Sequence, residues 1–364
     1  MTLDMYRVLI INLGATSTKM AFYYNEECRY EKTVRHSRED MSKAVTGKEQ
    51  LDYRKNIVLS WLEEIGENMD YVNAVAMRGA KMPRPIHGGT YRVAGLYAQD
   101  LLMLYEPDTP LVHGARITLP LVLAVIDGRD IPIYVTDPPC VDELTEIARI
   151  SGNPLYPRTV IFHALNQKEA VRRVAAEMGL TYSKCRFVAA HLGGGISVGA
   201  HDKGKVIDVN NCVQGEGPFS PERSGGVIAS KIIEACYSGK YTKEEMMRQI
   251  QGEGGVKAYL GTADMREVEK RAESGEKEAE LIWQAMAYQV GKEIGAACAV
   301  LSGDVDAIIL TGGIAYNKAM TELIKARVNR FAPVKVYPGE FESEALVNGA
   351  LRVLRGEEEE QIYI

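Results

Sequence analysis

The chain has 364 residues, 46% of them hydrophobic, enough for about two domains with a core each. Acidic residues outnumber basic ones, 49 to 43, and the net charge of -6 argues against a surface dominated by nucleic-acid or anionic-lipid binding. The six cysteines, at 28, 140, 185, 212, 236 and 298, are scattered with no Cys-x-x-Cys pair and no clustering with histidine, so neither zinc nor a disulfide framework is indicated and a reducing cytosol fits best.

The opening, MTLDMYRVLIIN, lacks a basic segment followed by a secretory apolar core, and no run of about 18 apolar residues occurs, so the expectation is a protein neither exported nor membrane-spanning. Residues 6–11 (YRVLII) and 20–24 (MAFYY) read as two strands of a hairpin whose turn contains Gly14. Residues 72–77 (VNAVAM) form a strand running into Arg78-Gly79. Residues 131–135 (IPIYV) form another, which stops at Thr136-Asp137-Pro138-Pro139, where the prolines force an exit from the sheet. In the second half, 186–190 (RFVAA) and 196–200 (ISVGA) repeat the hairpin around Gly193, Gly194 and Gly195, and 205–209 adds a third strand. Residues 305–310 (VDAIIL) run into Thr311-Gly312-Gly313 and a helical stretch ending near Arg330. Helical periodicity marks 53–68, 142–150, 163–180, 225–237, 276–302 and 342–355. Strands alternate with helices, so the class is α/β. The tail GEEEEQ, 356–361, reads as solvated surface without a role.

The repeat is the informative feature. Asn12-Leu13-Gly14, within IINLGATSTK, is echoed 179 residues later by His191-Leu192-Gly193, within AHLGGGIS. A turn of Gly, Ser and Thr exposes main-chain N–H groups and hydroxyls with no bulky side chain in the way, which suits phosphate oxygens. Neither G-x-x-x-x-G-K-[ST] nor a strand-borne G-x-G-x-x-G is present, so the nucleotide folds built on those motifs are disfavoured. What remains is a duplicated domain whose two turns hold one polyphosphate.

These motifs carry a resemblance. NLGATSTK and HLGGGISVGAHDKGKVIDVNN resemble the two phosphate loops of the acetate and butyrate kinase family. RTVIFHALNQKEAVRRVA (158–175), GEGPFSPERSGG (215–226) and GALRVLRGEEE (349–359) resemble its butyrate kinase branch, and the match runs in order along essentially the whole chain. The fold implied is a pair of duplicated actin-like ATPase (ribonuclease H-like) domains, two lobes around a nucleotide cleft that closes on substrates. The first lobe would span 1–145 with the C-terminal helix, 343–364, packing back on it, and the second would span 146–342 and carry the nucleotide site. The activity implied is reversible transfer of the γ-phosphoryl group of ATP to a short-chain fatty acid, giving an acyl phosphate and ADP with Mg2+ as cofactor. Butyrate or a branched-chain acid is the first expectation. A cytoplasmic homodimer without nucleic-acid or membrane partners completes what the resemblance implies, and acetate or propionate kinase activity, or a regulatory nucleotide-binding protein with little turnover, are the alternatives.

Carried over residue by residue, the resemblance makes Arg78 the clamp on the acyl carboxylate, Arg223 the stabiliser of transition-state charge, and His163 and His191 the groups nearest the phosphoryl group. Asn12, Asp137 and Glu342 match the metal-associated positions, with Glu344 the other candidate for the last. Gly14, Thr16, Ser17 and Lys19 belong to the first phosphate loop, and Gly193, Gly194 and Gly195 to the second. Asp264 and Arg266 in GTADMREVE, and Gly312, Gly313 and Asn317 in LTGGIAYN, match the nucleotide-flanking segments. Ala80, Val112, His113 and Phe162 are expected to wall the acyl pocket by adjacency to Arg78 and His163. The chain departs from the family where Ala15 replaces a loop serine, where Ala115-Arg116 replaces Ser-Asn, and at Ala80-Lys81. The added positive charge there favours a different or more polar carboxylate.

Overall fold

A computed structural model describes residues 5–364 apart from Pro85 and Val112, and of Arg38 only the main chain. The chain divides into two compact units, residues 1–140 with 342–364, and residues 141–341.

The first unit is built on a six-stranded sheet: β1 (Arg7–Leu13), β2 (Ser17–Tyr24), β3 (Glu27–Arg35), β4 (Ala74–Met77), β5 (Thr90–Arg92) and β6 (Ile133–Thr136), in the order β3-β2-β1-β4-β6-β5. β1 pairs antiparallel with β2, placing Asn12 opposite Lys19, and parallel with β4. Helix Thr118–Ile126 packs on the sheet with helix Gly47–Ile65 against it, and helix Glu342–Leu354 also packs on the sheet, meeting β1, β4 and β6. β1 is therefore buried along nearly its whole length, the condition under which a strand reads as a continuous apolar run.

In the second unit the strands are β7 (Arg186–Leu192), β8 (Ile196–Asp202), β9 (Lys205–Val209), β10 (Ala307–Gly312) and β11 (Val334–Pro338), in the order β11-β10-β7-β8-β9. Helix Lys277–Val300 supplies Trp283, Met286, Val290 and Ile294 to the larger core, and helix Ala164–Glu177 supplies Val171 and Val174 to a smaller one. The order β3-β2-β1-β4-β6 recurs as β9-β8-β7-β10-β11, with the same antiparallel trio and the same parallel pairs. The sequence echo is thus a duplicated topology.

Several elements differ from expectation, β5, β11 and helix Thr118–Ile126 among them, and three differences have a plain physical reason. β3 was not foreseen: its residues, ECRYEKTVR, are mostly exposed and show no apolar alternation, and the strand forms because a turn through Asn25, at φ 52°, folds it back on β2. The helix expected over 142–150 shrinks to Glu146–Arg149, capped by Thr145. The acidic tail is not free surface. Glu358 accepts from the Thr90 main-chain N–H (3.2 Å) and Arg352 Nε (2.7 Å), and Glu360 accepts from the Tyr134 hydroxyl (2.9 Å), so the charge run clamps the β5–β6 edge.

Candidate functional site

In the first unit the turn between β1 and β2 is closed by Gly14 N–H donating to the Ser17 carbonyl at 3.0 Å. Its carbonyl edge is held from behind by Arg54, a fully buried residue of helix Gly47–Ile65 that the sequence reading missed. Arg54 Nη1 donates to Gly14 O (3.1 Å) and Ser17 O (2.8 Å), and Nη2 donates to Ala15 O (3.0 Å). Burial lowers its pKa to about 10, so it stays charged at neutral pH. The signal was present: Gln50, Arg54, Val58, Trp61 and Leu62 form the buried stripe of the helix, and an arginine on such a stripe needs oxygen partners. Ala15 and Thr16, at the tip, are left exposed.

Glu342, in the first turn of its helix with only 16% of its side chain exposed, is the focus of this unit's polar cluster. Asn12 Nδ2 donates to Oε2 at 2.7 Å, Lys19 Nζ lies 3.5 Å from the same oxygen, and Arg78 Nη1 lies 2.9 Å from Oε1. Burial alone would raise the carboxyl pKa. Arg78, then Lys19 and Asn12, outweigh it and hold the group below its ordinary value, so Glu342 is ionised at neutral pH. Glu344 lies instead near Tyr23 and Cys28, whose ionisation it opposes. His113 accepts the Ala115 N–H on Nδ1 (3.1 Å). Loss of solvent, with Arg78, Arg54 and Arg116 around it, pushes its pKa down and keeps it neutral. Asp137 is fully buried with φ 41°, and its Oδ1 accepts the Gly89 N–H at 2.8 Å. A non-glycine residue at positive φ at a strand exit is strained, which is common where function fixes the backbone.

In the second unit the rings of His163 and His191 stack with centroids 3.7 Å apart and planes 11° from parallel. His163 precedes helix Ala164–Glu177 and lies 2.8 Å from Ser197 Oγ through Nδ1; His191 ends β7 and lies 2.6 Å from Asn166 Oδ1 through its own Nδ1. Arg223 Nη1 donates to the Cys212 carbonyl at 2.8 Å, and the guanidinium lies so close to Gly195 that a Cβ there would overlap it. A cavity of about 790 Å3 brings together Gly193, Gly194, Asp264, Arg266, Gly313 and Asn317. Asp264 caps helix Met265–Glu273 and pairs with Arg266 Nη2 at 2.8 Å, which lowers its pKa to about 2. Gly312, the residue before Gly313, is buried at the end of β10.

The residues expected to wall the acyl pocket are divided between the two units. Ala80 is buried in the first unit's core. Phe162, only 2% exposed, packs with Val141, Leu144, Val160 and Val209 in the second. Val112 lies outside the described residues.

Among the described residues no three His, Cys, Asp or Glu side chains cluster as a metal cage. Magnesium does not require one, since it is commonly held by one or two carboxylates, water and substrate phosphates. The ionised Glu342 beside the Asn12 amide supplies the anionic oxygens such a partial site needs, although both already face Asn12, Lys19 and Arg78, as Asp137 Oδ1 faces Gly89.

A model of the Acetokinase family matches residues 155–338. Butyrate kinase 1 of Clostridium acetobutylicum is 47% identical over 359 residues, covering 99% of this chain and all of that protein. Among solved structures, acetate kinase of Porphyromonas gingivalis superposes with a TM-score of 0.76 at 18% identity, covering 96% of this chain and 100% of that one. A propionate kinase of Francisella tularensis gives 0.71 at 17% identity, covering 94% and 99%. Those likenesses establish the duplicated actin-like fold, and the full-length identity places the sequence: the chain belongs to the acetokinase family, within its butyrate kinase branch.

Proposed function

We propose that the protein transfers the γ-phosphoryl group of ATP reversibly to a short-chain carboxylate, with butanoate the preferred acceptor. The observation that carries this reading is the cation-rich cluster of Arg78 and Lys19 on the single ionised carboxylate Glu342, in a chain 47% identical to a butyrate kinase. A fatty-acid carboxylate is deprotonated at neutral pH, so no base is needed to make it a nucleophile. Its oxygen bonds to the γ-phosphorus as the bond to the ADP oxygen breaks, and catalysis reduces to alignment and charge neutralisation.

Arg78 offers the fork that a carboxylate accepts, and Arg223, pressed against the Gly195 turn, offers one to the travelling phosphoryl group. Gly193 and Gly194 expose main chain to phosphates, and the cavity lined by Asp264 and Gly313 takes the nucleoside. Magnesium, when bound beside Glu342 and Asn12, neutralises phosphate charge. Six free cysteines support a reducing cytosol, and the exposed Ile233 on helix Ala229–Cys236 and the exposed Tyr237 just after it support a homodimer.

The test is acyl-phosphate trapping with hydroxylamine in Mg-ATP across straight and branched acids of two to five carbons. The expected result is the highest kcat/KM for butanoate or a branched acid. A preference for acetate or propionate would correct the acceptor, and ATP binding without acyl phosphate from any acid would overturn the reading.

A further inference from the structure

Buried polar groups around the stacked histidines form a chain whose hydrogen-bond direction can be followed atom by atom. Gln167, Ser197 and His201 are fully buried, and Asn166 and His191 nearly so. We propose that Gln167 and Ser197 are positioning residues that lock His163 as a neutral imidazole with its proton on Nε2, while Asn166 locks the stacked His191 into the opposite form, with a proton on Nδ1.

The direction starts from a carbonyl, which can only accept. Gln167 Nε2 lies 3.0 Å from the Ser197 main-chain oxygen, so the amide nitrogen must face it and the flipped amide would set two acceptors against each other. The second hydrogen on that nitrogen reaches Ser197 Oγ at 2.8 Å. Gln167 Oε1 consequently faces His201 Nε2 at 3.1 Å, and that nitrogen must be the protonated one. His201 Nδ1, 3.0 Å from the Tyr182 hydroxyl, then accepts from it. Space for the glutamine oxygen is made by Gly199, where a Cβ would fall 2.6 Å from Oε1.

Ser197 Oγ thus accepts from Gln167, and it also accepts the His163 main-chain N–H at 3.4 Å. With both acceptor positions engaged, its own hydrogen goes to the third neighbour, His163 Nδ1 at 2.8 Å. Nδ1 is an acceptor, and the ring proton sits on Nε2.

The same logic applied to Asn166 gives the reverse result. Its Nδ2 donates to the carbonyls of Gly339 (3.0 Å) and Glu340 (2.7 Å), which fixes the amide and turns Oδ1 to His191 Nδ1 at 2.6 Å. That nitrogen must carry a proton. Rings stacked at 3.7 Å would repel if both were cations, so a lock that keeps one of them neutral also stabilises the stack.

For phosphoryl transfer, which this part of the inference takes from the proposed function, His163 then acts as a fixed N–H donor to a phosphoryl oxygen and not as a base. Positive charge at the transferring group is left to Arg223.

The experiment is long-range 1H–15N correlation on the full-length protein labelled with 15N-histidine at pH 7.5, without substrate. There are six histidines, and His163→Gln and His191→Gln assign the two rings. Expected are the Nε2–H pattern for His163 and an Nδ1–H for His191. A His163 ring that is cationic, tautomerically averaged or protonated on Nδ1 overturns the inference. Ser197→Ala should mix the His163 tautomers and lower kcat about tenfold with KM for ATP little changed; a pure Nε2–H ring in that variant would likewise overturn it. Correct tautomers in a protein that makes no acyl phosphate leave the lock standing and sink the kinase reading, so the two failures are distinguishable.

Discussion

Arg54 shows how one buried cation can shape a binding loop without touching a ligand. Three main-chain carbonyls of the first turn take its guanidinium hydrogens. Removing the donor leaves those oxygens unsatisfied on their buried side, at roughly 1–3 kcal/mol for a group left fully dry. Arg54→Leu should therefore destabilise the protein by about 3 kcal/mol in urea unfolding, since water can reach part of the loop. Arg54→Lys should fall between, because an ammonium is a point donor and cannot span Gly14, Ala15 and Ser17 together. If the turn presents phosphate ligands as proposed, KM for ATP should rise in Arg54→Lys beyond what a core variant of equal stability shows. An unchanged KM would mean that the turn keeps its shape without the arginine.

At the scale of elements, two glycines a Cβ would crowd have opposite expected outcomes. At Gly312, φ is 88° and a Cβ would fall 2.5 Å from the Leu192 carbonyl oxygen, so Gly312→Ala strains the backbone and pushes β10 off β7. A loss of about 3 kcal/mol or more is expected, read as the urea midpoint. At Gly195 the obstacle is the tip of Arg223, a long side chain that can move. Gly195→Ala should unfold near the wild-type midpoint yet lose turnover, because the guanidinium is displaced. Both glycines follow apolar runs, which is why they were legible: β7 beyond Arg186 and all of β10 are buried and read as mainly hydrophobic stretches stopped by Gly. β3 was illegible for the opposite reason, being an exposed edge with no face to hide. The polar lock behind His163 was only half legible. The segment FHALNQ marked the histidine, but Gln167 acquires its partners from β8, and sequence spacing alone does not show that pairing.

The duplication of the whole molecule explains why the chemistry is divided as it is. Both units put a polar residue at the same point, just before Leu-Gly at the end of the first strand of each hairpin. In the first it is Asn12, whose amide donates to Glu342; in the second it is His191, which stacks on His163. One scaffold position has become a carboxylate partner in one copy and part of a stacked histidine pair in the other. A separation of effects follows from the proposed function, because the cavity proposed for the nucleotide is lined wholly by residues of the second unit, whereas Arg78 belongs to the first. Arg78→Ala should lower kcat/KM for the acid by about 10²-fold or more while leaving the Kd for ADP, by calorimetry, within about twofold. Gly313→Leu should do the reverse. A Cβ at Gly313 meets open space, so the fold should survive, but the added side chain occupies the cavity and should weaken ADP at least about tenfold. Should Arg78→Ala lose ADP as completely as Gly313→Leu, the division of labour between the duplicated halves is wrong, and Arg78 would have to be counted among the nucleotide's ligands.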